Sequence, residues 1–110
     1  MASHASRPVV LVTGAARRVG RAIALDLAAH GFDIALHFRN SRDEAEATAA
    51  DVRELGVKAQ CFAADLSDEA KCRALVPAVA QAMKRIDAVV NNASHFEYDN
   101  VQSFSFAAMD

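Results

Sequence analysis

At 110 residues, with 53% apolar and 24% charged side chains, the chain can bury the core of one domain and has neither a disordered nor a fibrous composition. A formal charge of −2 gives no global attraction to nucleic acid or to an anionic membrane, so basic chemistry must come from local clusters such as Arg17, Arg18 and Arg21. The two cysteines, Cys61 and Cys72, have no histidine at ligand spacing; they support neither a disulfide framework nor a metal site and read as packed thiols.

No apolar run approaches the roughly 18 residues of a membrane span, and Met1 to Pro8 lack the apolar core of a signal peptide. The cytosol is the expected compartment.

Val9-Val10-Leu11-Val12, closed by Thr13-Gly14, is a β-branched and apolar run that predicts a strand buried on both faces. From about Arg18 to His30, the residues Val19, Ile23 and Leu27 recur at helical spacing, and Gly31 stands where a C-cap glycine belongs. Asp33 to Phe38 reads as a second strand, and Ser41-x-x-Glu44 is a capping-box pattern opening an Ala-rich helix that Gly56 ends. Val57 to Ala63 supplies a third strand. Ser67-Asp68-Glu69 opens a third helix running to about Lys84, in which Pro77 predicts a kink or a break. Ile86 to Val90 is a fourth strand, ending in Asn91-Asn92.

This alternation predicts an α/β fold, a Rossmann-type doubly wound parallel sheet, in which ligands bind outside the carboxyl ends of the strands. The segment from Thr13 to Gly20 joins strand to helix with small residues and the glycines Gly14 and Gly20. Such a turn lets backbone N–H groups approach a phosphate at a helix N-terminus, although the strict G-x-G-x-x-G spacing is missing and an ordinary βα turn is the alternative. Arg18 stands where a glycine might be expected and can reach a phosphate or an acidic or polar substrate.

After the second strand come Arg39, Asn40 and Ser41. An acid at this place would bind a ribose 2′-hydroxyl, whereas these donors suit the 2′-phosphate of NADP(H); a solvated Arg beside a helix cap is the alternative. Asp65-Leu66 after the third strand could lie against an adenine, or the Asp could serve the following helix. Asn91-Asn92-Ala93-Ser94 offers compact polar groups beside the place of a nicotinamide ribose, or ties two strands together.

Val10 through Gly20, then Asp65, then Asn91-Asn92-Ala93 resemble, in order and spacing, the short-chain dehydrogenase/reductase superfamily. The resemblance covers Pro8 to Asp110 and implies a tail over residues 1–7, followed by the N-terminal, cofactor-binding part of one Rossmann domain. Two departures stand out: Arg18 occupies the middle glycine of T-G-x-x-x-G-x-G, and the usual N-N-A-G becomes Asn-Asn-Ala-Ser94.

Together with His37-Phe38-Arg39-Asn40-Ser41 and Phe96, these departures are similar to the pteridine reductase branch. By that resemblance Gly14, Arg17, Arg18, Val19 and Gly20, His37 to Ser41, Asp65, Leu66, Asn91, Ala93 and Ser94 would bind NADP(H). Arg18, Ser94 and Phe96 would contact a pterin, Phe96 by stacking, and the protein would be a homo-oligomer, a tetramer. No proton donor is assigned, because the only tyrosine, Tyr98, is followed four residues on by Gln102 rather than by the lysine of Y-x-x-x-K. His95 and Tyr98 match no motif and read as surface or packing groups. The catalytic Tyr and Lys are expected beyond Asp110.

Overall fold

The computed structural model describes residues 7–16 and 18–92. Its elements are β1 (Val9–Val12), α1 (Arg18–Ala29), β2 (Asp33–Phe38), α2 (Arg42–Glu54), β3 (Ala59–Ala63), α3 (Glu69–Met83) and β4 (Ala88–Val90). The strands form one sheet in the order β3-β2-β1-β4, and every pairing is parallel. The expected α/β architecture is present.

Both central strands are buried along their whole length, which is why they carry continuous apolar runs rather than alternation. On one face Val10, Val12, Ile34 and Leu36 pack against Ala24 and Ala28 of α1 and Ala49 and Val52 of α2. Val9, Leu11 and Ala35 point to the opposite face and meet Cys72, Leu75 and Val79 of α3. Alanines at the contacting helix positions let the backbones approach the sheet closely, and each fully buried Val, Leu or Ile contributes about 1.5–3 kcal/mol. Cys61 and Cys72 are thiols not joined in a disulfide, the latter buried in this second layer.

Local signals set the boundaries. Gly31, at φ +93, ends α1 in a Schellman motif: its N–H donates to the Ala28 carbonyl and that of Phe32 to the Leu27 carbonyl. β3 and β4 are shorter than their apolar runs because the ladders begin at Ala59, opposite Ile34, and at Ala88, opposite Val10. Val57 and Ile86 pack in the core without pairing.

Two expectations fail. Pro77 does not break α3, which continues through it; the residue is exposed, so water can replace the hydrogen bond it removes. Nor does Ser41 cap α2 with its side chain: at φ −91 and ψ 64 its hydroxyl makes no cap hydrogen bond, and its carbonyl accepts from Ala45 N–H instead. Asp68 is a true cap, accepting from Lys71 N–H at 3.2 Å.

At the amino end of the sheet the Asp87 carboxylate accepts the Val9 N–H at 2.7 Å and is held by Arg85 through two bonds of 2.8 and 2.7 Å. The Arg85 bonds, with the bond from Val9, hold its carboxyl below the usual carboxylate range against a smaller opposing effect of burial. A depressed folded-state value means stability that is present above the unfolded pKa of about 3.9 and is lost as pH falls through the folded one. Asp87→Asn is therefore expected to flatten the acid limb of a urea-midpoint profile below about pH 4. An acid limb identical to the parent's would show that this anchor contributes nothing.

Candidate functional site

The turn after β1 is tied down at several of its polar backbone atoms. Thr13 N–H donates to the Val90 carbonyl at 3.1 Å, extending the β1–β4 ladder, and Ala15 N–H donates to the His37 carbonyl at 2.8 Å. The Gly14 N–H donates to Nδ1 of His37 at 2.9 Å, while the Gly14 carbonyl accepts from Asn92 Nδ2 at 3.2 Å. From the other side, Thr48 Oγ1 donates to the Ala16 carbonyl at 2.9 Å; Arg21, itself paired with Asp51 at 2.6 Å, donates to the same Thr48 hydroxyl. Thr13, fully buried, accepts Asn92 N–H on its hydroxyl at 2.9 Å.

Two positions in the turn have demanding geometry. Gly14 lies at φ +62. A Cβ on Gly20 would meet the Gly14 carbonyl oxygen at 2.0 Å and Asn92 Nδ2 at 2.8 Å, so the first turn of α1 presses directly on the loop. The N–H groups of that first helical turn have no partner within the helix and point, with the positive end of its dipole, out of the sheet's carboxyl edge. Arg18, the first residue of α1, lies at φ +57, a left-handed conformation that costs a side-chain-bearing residue about 1–2 kcal/mol. Its side chain is exposed and forms no ion pair with any described residue. Val19 beside it is 64% exposed, an apolar surface at the same edge.

At the end of β2, Arg39 and Asn40 are exposed and line a cleft of ≈ 580 Å³ together with Asp65 and Lys71. Arg39 pairs loosely with Asp65 at 3.5 Å. The Asp65 carboxylate accepts the Ser67 hydroxyl at 2.6 Å and the Ser67 N–H at 3.0 Å. Those bonds, then the charges of Arg39 and Lys71, hold its carboxyl below the ordinary value. Arg42, at the start of α2, stacks its guanidinium 4.9 Å from the Phe38 ring centroid. The carboxyl edge of the sheet thus presents a helix N-terminus, two left-handed turn residues and a cationic cleft within one continuous set of loops. The family model for short chain dehydrogenases matches residues 8–110.

The chain belongs to the short chain dehydrogenase family. It is 36% identical over 83 residues to the 3-oxoacyl-[acyl-carrier-protein] reductase FabG of Staphylococcus aureus, covering 76% of this chain and 34% of that protein. Among solved structures, the FolM alternative dihydrofolate reductase 1 of Brucella canis, complexed with NADP, shares 45% identity at a TM-score of 0.72, over 79% of this chain and 35% of its own. An NAD⁺-bound xylitol dehydrogenase shares 41% identity at a TM-score of 0.74, over 78% and 33%. The chain spans about a third of the length of these short chain dehydrogenase relatives.

Within this family framework, the structure brings Gly14, Arg18, Val19, Gly20, Arg39, Asn40, Ser41, Asp65 and Asn91 to the carboxyl edge, on the strand ends and the start of α1. Three of the residues expected at the cofactor have buried side chains. His37 and Phe38 are 2% and 3% exposed and Leu66 is 3% exposed: the imidazole is bonded on both nitrogens inside the protein, Phe38 packs against Ala16 and Ala45, and Leu66 joins the α3 layer. Their side chains build the site rather than line it. Gly14 gives its N–H to His37 as well. Arg17, Ala93, Ser94 and Phe96 lie outside the described residues, as do His95 and Tyr98.

Sequence reasoning missed Thr13, Thr48 and Lys71. A Thr closing a buried strand is a signal for the first. For Thr48, a β-branched polar residue within an Ala-rich helix was the available clue, and Lys71 could be found only from the three-dimensional proximity of α3 to β2.

Proposed function

We propose that residues 8–110, after a tail over 1–7, form the nucleotide-binding portion of a cytosolic, homo-oligomeric NADP(H)-dependent reductase that delivers hydride from NADPH to a pterin or folate-type substrate. The observation that carries the cofactor assignment is the end of β2. Arg39 stands exposed over a cleft with only a long, weak partner, the Ser41 hydroxyl is not engaged in capping, and no carboxylate occurs from residue 39 to 41. The residues fit a dinucleotide: the Gly20–Gly14 approach leaves room for backbone only, and α1 offers unpaired N–H groups to a pyrophosphate.

When bound, the reduced nicotinamide supplies the hydride. In this reading α1's first turn holds the pyrophosphate, Arg39 and Asn40 hold the 2′-phosphate, and Arg18 reaches across to phosphate and substrate. Phe96 stacks on the pterin and Ser94 hydrogen-bonds cofactor or pterin. The proton comes from a Tyr and Lys beyond these residues. The Brucella canis relative, named for dihydrofolate reduction, supports the substrate assignment, as does Arg18 at φ +57, since strain of this kind persists where a side chain has a task. A carbonyl reductase acting on an oxoacyl substrate is the second reading, favoured by the Staphylococcus aureus relative.

The full-length enzyme should oxidise NADPH faster with a dihydropterin than with an oxoacyl thioester. Aromatic stacking contributes roughly 0.5–1.5 kcal/mol beyond burial. Phe96→Ala should therefore weaken dihydropterin binding roughly two- to ten-fold more than NADPH binding, and Arg18→Ala should impair both. A calorimetric affinity ratio unchanged by Phe96→Ala removes the pterin assignment and leaves the oxoacyl reading.

A further inference from the structure

The buried His37 side chain joins two of the strand-end loops. It lies in β2 at 2% exposure, with Nδ1 at 2.9 Å from the Gly14 nitrogen and Nε2 at 2.8 Å from the Ala64 carbonyl oxygen. The polarity of both neighbours is fixed. A backbone N–H can only donate, so Nδ1 must carry a lone pair; a carbonyl can only accept, so Nε2 must carry the hydrogen. One neutral tautomer therefore satisfies the site, and the imidazole ties the glycine turn after β1 to the segment after β3, where Asp65 meets Arg39.

We propose that His37 is a positioning residue: its neutral Nε2–H form holds the glycine turn in its nucleotide-binding shape, and protonation at Nδ1 releases Gly14 and weakens cofactor binding. This rests on the nicotinamide-cofactor reading above and deepens it. A proton on Nδ1 would face the Gly14 N–H across 2.9 Å with no acceptor between them, in a place from which water is excluded. Gly14 then has to move, and with it the Asn92 bond to its carbonyl and the Gly20 contact.

Burial pushes the imidazole below the ordinary histidine value, opposed in part by its bond to the Ala64 carbonyl. Among the charged groups on the elements around it are Arg18 on α1, Arg39 at the end of β2, Arg42 on α2, Asp65 after β3 and Lys71 on α3. None of them bonds to the ring: Arg39 pairs with Asp65, Arg42 sits over Phe38, and Asp65 is held by Ser67. The sign follows from the lowered value. The turn is intact at neutral pH, and the loss comes on below the ordinary histidine range, as pH falls through the lowered value.

The test uses the full-length protein, with dissociation constants for NADPH and NADH measured between pH 8 and 5. NADH is included because it lacks the 2′-phosphate, which itself titrates near pH 6. Both cofactors should bind more weakly toward acid in the parent. His37→Asn, whose Oδ1 offers an acceptor where Nδ1 stood and does not titrate, should rescue binding at pH 8 and abolish the acid loss for NADH. His37→Leu should lose ten-fold or more for both cofactors at every pH.

Nitrogen NMR of the parent should show the Nε2–H tautomer, with the Gly14 amide resonance moving along the imidazole titration. An NADH profile in His37→Asn that falls as steeply as the parent's, or parent-like binding by His37→Leu, overturns the proposal. If His37→Leu does not fold, the Asn variant and the Gly14 resonance decide. If the parent binds neither cofactor at pH 8, the cofactor reading fails. The turn-holding claim then stands or falls on whether the Gly14 amide follows His37.

Discussion

Gly20→Ala is expected to remove a large share of the stability of the domain. The added Cβ would sit 2.0 Å from the Gly14 carbonyl oxygen and 2.8 Å from both its carbon and Asn92 Nδ2, so a backbone atom, not a flexible side chain, has to yield. Gly14 cannot shift alone, because its N–H is bonded to His37 and its carbonyl to Asn92. Overpacking costs about 1–3 kcal/mol, and each displaced hydrogen bond adds about 0.5–1.5 kcal/mol. With both bonds displaced the total is about 2–6 kcal/mol, a large share of the 5–15 kcal/mol that is typical for a domain. Urea unfolding of the full-length variant measures it; a loss of less than about 1 kcal/mol would mean that α1 can slide away from the turn at little cost.

Arg39→Asp is expected to shift the NADPH-to-NADH preference by ten-fold or more toward NADH. Arg39 is half exposed, and its pairing with Asp65 at 3.5 Å is of a kind that contributes about 0–1 kcal/mol, so it is free to turn toward a phosphate. A charge-assisted bond to that phosphate contributes about 1.5–3 kcal/mol. The aspartate would replace it by repulsion and would offer an acceptor to a ribose hydroxyl instead. Family membership does not decide the matter, since the relatives include an NADP complex and an NAD⁺ complex. Titration of both cofactors by fluorescence gives the ratio, and equal binding of both by the unmutated enzyme would sink the assignment.

The central strands were legible because their physics is one-dimensional: Val9–Val12 and Asp33–Phe38 are apolar runs buried on both faces, and their bounds coincide with the runs. The glycine-ended helices were legible for the same reason, since Gly31 and Gly56 occupy φ values of +93 and +92 that other residues resist. Where the outcome depended on partners distant in sequence, the reading ran out. Ser41 has the residue type of a cap, yet the backbone angles it takes after β2 turn its hydroxyl away from that task. His37 was expected at the cofactor from the family resemblance, and its bonds to Gly14 and Ala64, inside a strand buried on both faces, could not be read from the sequence. Arg18 was read both as standing in a glycine's place and as a phosphate or substrate contact; its φ of +57 is the left-handed conformation that favours glycine, which residue type alone did not reveal.

The bonding of the turn after β1 also bears on how fast a nucleotide can be taken up. Its backbone groups are held by His37, Asn92 and Thr48, so the entropy of ordering the loop is spent during folding rather than at encounter. In the proposed reading, an arriving phosphate would meet backbone groups already held by these three ties, so their ordering would not limit capture. Changes around the turn that leave those three ties intact then act on residence time rather than on the rate of arrival. Changes that cut a tie make every encounter wait for the loop to order itself.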